Sequence, residues 1–172
     1  RFDALDDYAV SEFHRHGLTD LPFVEQTLPR LASLREPFFA YVVTLTSHVP
    51  FDFGEPLPAD PAVDPKVARY LSSIRYADHA VGELVAGLRR SGLLDRSVLV
   101  VFGDHHALKR SEGLGAFLGL PKEAEAAWFG VEKRVPLLVR LPGGAAAGRR
   151  DALGGQIDLA PTLASLLGVD TS

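Results

Sequence analysis

The run Val98-Leu99-Val100-Val101-Phe102 constrains the fold of this chain more than any other stretch. Five consecutive apolar residues, mostly β-branched or aromatic, are too short for a helix and too uniformly apolar for a strand with one face in water. The run therefore reads as a strand buried on both faces in a parallel sheet. Gly103, Asp104, His105 and His106 follow directly, so hard and borderline metal ligands stand where the chain leaves the sheet. In open α/β sheets that edge, outside the carboxyl ends of the strands, is where ligands bind. Neighbouring residues on a regular strand point to opposite faces, so Asp104 and His105 can share an ion only if the strand ends and the chain turns, which Gly103 permits.

Two further runs repeat the pattern. Pro37 to Thr46 is a second continuous, β-rich run that ends in Ser47-His48-Val49-Pro50, and Val135 to Pro142 is a third, with prolines at its ends where they cost a sheet least. If the strands are parallel, His48 emerges on the same edge as Asp104 and His105. Helical spacing separates the runs. Leu21, Val24, Leu28, Leu31 and Leu34 follow a possible N-cap at Asp20, with Pro29 placed to kink or split that helix. Asp64-Pro65 opens the longest helix, which Gly92 closes. Asp158 should cap a short helix running through Leu167, with Pro161 in its first turn and Gly168 ending it. Residues 106–134 form a polar and helical excursion of about the length of a flap, carrying Lys109, Arg110, Trp128 and Arg134. Residues 51–65 and 143–155 read as loops. Asp78, on or beside an apolar helix face, calls for a salt-bridge or cap partner, whereas Arg75, His79, His14 and His16 read as solvated.

These 172 residues, 47% of them hydrophobic, suffice for one domain with a real core and are few for two. A net charge of −4 with 23% charged residues offers no basic stripe, so neither nucleic acid nor an anionic membrane surface is the expected partner. The absence of cysteine excludes a disulfide framework, a thiolate metal site and a cysteine-derived nucleophile. No apolar run approaches the roughly 18 to 20 residues of a membrane span. The start at Arg1-Phe2-Asp3, without methionine, leads us to expect a piece of a longer protein. An imidazole beside a carboxylate suits Zn²⁺, Mn²⁺ or a related ion, and the lack of sulfur donors favours catalysis over a structural role. Two ligands do not complete a site, so water, substrate or residues outside this chain must supply the rest; a hydrogen-bonded structural pair is the alternative.

The combination of segments is more specific than any one of them. Phe38 through Phe51, then Arg75-Tyr76-Ala77-Asp78, then Ser91 through His106, then Arg134 through Gly143, then Gln156 through Leu163 closely resembles, in order and spacing, the carboxyl-terminal part of the lipoteichoic acid synthase family. Those proteins are phosphoglycerol transferases of the sulfatase-like, alkaline-phosphatase superfamily. The resemblance implies an α/β fold, a partial alkaline-phosphatase/sulfatase-like domain with a largely parallel central sheet flanked by helices, of which residues 1–172 form the carboxyl-terminal portion. It implies one divalent ion, Mn²⁺ in the first place with Zn²⁺, Mg²⁺ or Ca²⁺ as alternatives, held in part by Asp104 and His105. His48 matches the histidine that contacts the phosphoglycerol group. The family's glutamate ligand and its threonine, both ligand and nucleophile, belong to an amino-terminal half that this chain lacks, as does a substrate-holding tryptophan and arginine segment. Ala107-Leu108-Lys109 departs from the small or hydroxyl residue usual near the phosphate. Implied substrates are a phospholipid head group or another phosphate or sulfate ester, and the implied setting is the extracytoplasmic side of a bacterial membrane. The alternatives are a sulfatase or phosphodiesterase, or a noncatalytic binding or regulatory domain of the same fold, favoured if the upstream half lacks the nucleophile.

Overall fold

The computed structural model describes residues 2–11, 13–14, 17–53, 62–110 and 113–169; His16 and residues 54–61 of the 51–65 loop lie outside them. A short antiparallel pair, β1 (Phe13–His14) with β2 (Gly17–Leu18), leads into helix α1 (Asp20–Ala32). Helix α2 (Pro65–Arg90) is the longest element. Strand β3 (Leu99–Phe102), helices α3 (Leu114–Leu118) and α4 (Glu125–Lys133), strand β4 (Leu137–Arg140) and helix α5 (Leu159–Leu166) complete the order.

The helices form where the spacing predicts, with differences at their ends. Asp64 caps α2 by accepting from the Lys66 amide at 2.8 Å, and Gly92 leaves the helix at φ +70. That left-handed conformation suits a residue without a Cβ. Pro29 does not split α1, which runs through it as one element. Asp20 is not the N-cap; Thr19 precedes the helix, and the Asp20 carboxylate is turned to another use described below. Asp158 likewise makes no side-chain cap for α5, and instead accepts from the Gly155 amide at 2.7 Å. Asp78 is exposed rather than paired on an apolar face, and His79 stands in water 4.0 Å from Glu83 one helical turn on.

The expectation of a largely parallel sheet needs correction. Strand β3 pairs antiparallel with β4, in the register Leu99↔Arg140 through Phe102↔Leu137, and residues 38–46 join no hydrogen-bonded ladder among the described residues. An apolar run specifies that a strand wants cover, not which way its neighbour runs. The 103–136 excursion is long enough for either direction. Residues 38–46 still lie alongside β3, since Phe38 packs into the cluster containing Leu99 and the Tyr41 ring lies 6.4 Å from that of Phe102. The α/β character stands, and both the 38–46 segment and β3 deliver their ends toward one region.

Two apolar clusters hold this arrangement. One joins Leu31 of α1, Leu88 of α2, Leu93 and Leu94, with Leu28, Phe38 and Leu99 packed on it. Here α1 and α2 cross so closely that a Cβ on Gly87 would lie 2.3 Å from Leu28 Cδ1. The other joins Phe51, Val67 and Leu108, with Tyr70 and Ala107 against it. Trp128 of α4 is buried separately, its Nε1 donating to the Pro121 carbonyl at 2.9 Å.

Candidate functional site

Strand β3 ends close against a neighbouring segment. The Gly103 amide donates to the Pro136 carbonyl at 3.1 Å, and a Cβ on Gly103 would sit 3.0 Å from that of Val135. Glycine therefore relieves a close approach to Val135, and its φ is not in the left-handed region that a glycine-dependent turn would need. Gln156, just before α5, donates from Nε2 to the carbonyl of Gly103 at 2.9 Å and to that of Asp104. The backbone that presents Asp104 and His105 is therefore held from two sides, leaving both side chains in solvent.

The His105 ring is oriented by its own neighbour. Its Nδ1 lies 2.7 Å from the His106 carbonyl, an acceptor, so Nδ1 carries the proton and the neutral ring keeps its lone pair on Nε2. Nε2 is the nitrogen that faces Asp104, 3.8 Å from Oδ1. Ligand bonds of about 2.0–2.2 Å to one ion separate two donors by roughly 3–4 Å. The pair therefore fits one edge of a coordination shell, with a backbone carbonyl fixing the imidazole from behind as ligating histidines usually require. No third His, Asp or Glu joins it in a metal-binding group among the described residues.

His48 reaches the same place through two anchors, neither of them apparent in the sequence. Upstream, the fully buried Asp20 accepts through Oδ1 from the amides of Leu45 at 2.7 Å and Thr46 at 3.0 Å, while the Thr46 hydroxyl accepts from the Asp20 amide at 2.9 Å. This reciprocal clamp ties the end of the 38–46 segment to the first turn of α1. Downstream, Phe51 is held at φ 61, a left-handed conformation costly for an aromatic residue, and is only 1% exposed. Phe51 stands three residues after His48 and Leu108 three after His105, and both bury against Val67 of α2. That shared cluster draws the two loops together. The His48 and His105 rings meet edge to face with centroids 6.1 Å apart, and His48 Nδ1 lies 2.9 Å from the Val49 carbonyl.

Of the residues singled out from sequence, Asp104, His105 and His48 are thus brought together, while His79 and Asp78 on α2 are not drawn into that group. The supporting roles of Gln156, Asp20, Phe51 and Leu108 were not read from the sequence, although Asp20 stood out as a possible cap and Gln156 and Phe51 lie within the segments that carry the resemblance.

The Sulfatase family model matches residues 10–169. The chain is 36% identical over 158 residues to lipoteichoic acid synthase 1 of Bacillus subtilis, covering 90% of this chain and 25% of that protein. It is 30% identical to the lipoteichoic acid synthase of Staphylococcus aureus, covering 90% and 24%. Among solved structures, the lipoteichoic acid synthase LtaP from Listeria monocytogenes superposes with a TM-score of 0.79 at 27% identity, over 97% of this chain and 43% of that one. An alkaline phosphatase superfamily protein from Vibrio parahaemolyticus, 22% identical, shares the fold with a TM-score of 0.70. The chain spans about a quarter of the length of the curated relatives it matches. With a match running over nearly all of its residues and a fold shared with the alkaline phosphatase superfamily, the chain belongs to the Sulfatase family.

Proposed function

We propose that this chain is the carboxyl-terminal part of one metal-dependent phosphoglycerol transferase domain, supplying Asp104 and His105 to a divalent ion and His48 to the phosphate of the substrate. The observation that carries the reading is the convergence of His48 on a His105 whose Nε2 lone pair faces Asp104 Oδ1 at 3.8 Å. The bound ion, Mn²⁺ in the first place, would supply Lewis-acid stabilisation of charge on the phosphoryl oxygens. Asp104 contributes negative charge and an oxygen donor. His105 contributes a nitrogen donor held by the His106 carbonyl, and His48, whose Nδ1 proton faces the Val49 carbonyl, would donate to a non-bridging oxygen from Nε2 as the doubly protonated ring. The nucleophile and remaining ligands come from residues outside this sequence, in the other portion of the domain.

The uncovered apolar surface supports that division. Phe39, Tyr41 and Val43 alternate along one side of the 38–46 segment at 62% exposure or more, Leu137 to Val139 of β4 are open to solvent, and α5 buries none of its residues. Exposed apolar side chains in this number are what an interface would cover, and 43% coverage of the LtaP chain leaves ample protein to cover them. The substrate class follows the relatives: glycerophosphate from a lipid head group, delivered to an envelope glycan or glycolipid at the outer face of a bacterial membrane. No helix among the described residues is long and apolar enough to cross a membrane. A sulfate or phosphate ester hydrolase is the second reading, favoured by the matching family model; it differs in releasing the product to water without an acceptor.

In a protein containing the whole domain, His105→Ala is expected to weaken Mn²⁺ binding measured by calorimetry by at least about tenfold. His48→Ala should retain the metal and lose turnover by about two orders of magnitude, as removal of an oxyanion donor does. Equal loss of metal in both variants would show that His48 is a ligand instead. The 172-residue chain alone should turn over neither a chromogenic phosphodiester nor a glycerophosphate lipid. Metal-dependent turnover by it would mean that the nucleophile lies within this sequence.

A further inference from the structure

The chain that leaves His105 is gripped twice within the next five residues. Leu108 is buried against Phe51 and Val67, on the body of the fold. Arg110 reaches the other way, into the excursion that carries α3 and α4. Its Nη1 and Nη2 donate to the two oxygens of Glu125 at 2.6 and 3.1 Å, and Nη1 also donates to the Lys122 carbonyl at 3.1 Å. The guanidinium carbon lies 5.1 Å from the centre of the Trp128 ring, and the Arg110 amide donates to Glu132 Oε1 at 2.8 Å. Glu125 stands in the first turn of α4 and Glu132 in the last, so one residue fastens both ends of that helix.

The excursion behind Arg110 has a core of its own. Trp128 is wholly buried, and α3 packs so tightly on it that a Cβ at Gly115 would lie 2.7 Å from Cζ2. Hydrogen bonding between the two side chains raises the Arg110 guanidinium and holds the Glu125 carboxyl below its ordinary value, so both stay ionised. Glu125 is nevertheless exposed, and an ion pair with one partner in water adds little to stability. What a fork on a carboxylate backed by an aromatic ring does add is direction, because it holds a planar group in one orientation.

Direction matters here because of what lies between the grips. The His106 carbonyl takes the Nδ1 proton of His105 at 2.7 Å. Upstream of it Gln156 holds the carbonyls of Gly103 and Asp104, and downstream the chain is held at Leu108 and Arg110. We infer that Arg110 is a positioning residue for the metal-binding pair: its fork on Glu125 locks the α3–α4 excursion to the outgoing chain and so fixes the His106 carbonyl that orients the His105 ring. The inference rests on the metal reading of Asp104 and His105 given above. It adds a residue that acts through the backbone, touching neither ion nor substrate.

The test uses a protein containing the whole domain, first without metal and at a pH above the ordinary histidine range, by nitrogen NMR of the imidazole rings. The His105 signal, assigned by its loss in His105→Ala, is expected in the Nδ1-protonated form. Arg110→Gln and Arg110→Lys should both move it toward a mixture of the two tautomers, since lysine keeps the charge but neither the fork nor the planar stack. In both variants Mn²⁺ affinity measured by calorimetry should fall about three- to tenfold, less than for removing a direct support of a ligating histidine, with the urea midpoint unchanged. Glu125→Ala, at an exposed position, should shift the tautomer in the same direction. The Arg110→Gln/Glu125→Ala double variant should be no worse than Arg110→Gln alone, because the two residues act through one contact. An unchanged His105 tautomer in Arg110→Gln, full rescue by lysine, or additive losses in the double variant would overturn the inference, as would a fall in affinity that only tracks a fall in the urea midpoint. Absence of Mn²⁺ binding by the unsubstituted protein would instead sink the metal reading, and the metal-free tautomer measurement would still decide the role of Arg110.

Discussion

Replacing Phe51 with alanine is expected to destabilise the fold by about 3–5 kcal/mol, the range for emptying a buried aromatic site. Phe51 is 1% exposed, packs on Val67 and Leu108, and meets the Tyr70 ring edge-on at 5.1 Å. Its backbone sits at φ 61, a conformation that costs a non-glycine residue of order 1–3 kcal/mol and persists only because the buried ring over-determines it. Alanine keeps that strain and removes what offsets it. Glycine removes both, so Phe51→Gly should be the milder substitution by about 1 kcal/mol, an inversion of the usual order on which chemical denaturation can decide. The functional consequence follows from position. With the cluster emptied, the loop bearing His48 loses its tie to the loop bearing His105, and nuclear magnetic resonance should show the two imidazoles no longer in contact. A loss below about 1 kcal/mol, with the ring pair intact, would mean that the loops are aligned by something other than this cluster.

How much of this was legible in the sequence depends on the range of the interaction involved. Local signals read well: the Asp64-Pro65 start of α2 and its Gly92 end are capping chemistry contained within a few residues. Strand direction did not read well. Val98 to Phe102 announces an apolar strand, but its antiparallel partner β4 arrives after a long excursion, and nothing within either run encodes orientation. The side chains proposed for chemistry were visible at the ends of apolar runs carrying Asp104, His105 and His48, because ligand residues closing an apolar run are a local pattern. The residues that hold them were not. Phe51 and Leu108 meet on α2 from distant parts of the chain, and Gln156 reaches Gly103 across more than 50 positions. Asp20 looked like a cap because an acidic residue at the head of a helix usually is one. Only the fold shows that its carboxylate serves another segment's amides.

That clamp carries the second large expectation. Asp20→Ala removes the acceptor of two amides, those of Leu45 and Thr46, in a site where Asp20 and Thr46 are both shielded from water. Each buried donor left unsatisfied costs about 1–3 kcal/mol, so a loss of roughly 2–6 kcal/mol is expected. Asp20→Asn separates hydrogen bonding from charge. Its amide oxygen can keep both bonds from Oδ1, and its NH2 would occupy the place of Oδ2, which is buried and has no hydrogen-bond partner among the described residues. The trade is one lone buried polar group for another. What asparagine gives up is the favourable placement of a negative charge at the amino terminus of α1, worth about 0.3–1 kcal/mol and up to about 2 when partly buried, against the relief of burying an uncharged group. Asparagine should therefore lose less than half of what alanine loses in urea denaturation. In a protein containing the whole domain, the alanine variant should also show a larger fall in turnover than in metal affinity, because the 38–46 end that the clamp holds delivers His48 and not Asp104 or His105. If asparagine and alanine destabilise equally, charge rather than amide bonding holds that end in place. A loss of metal affinity equal to the loss of turnover would mean that the clamp orders the whole site rather than the His48 side alone.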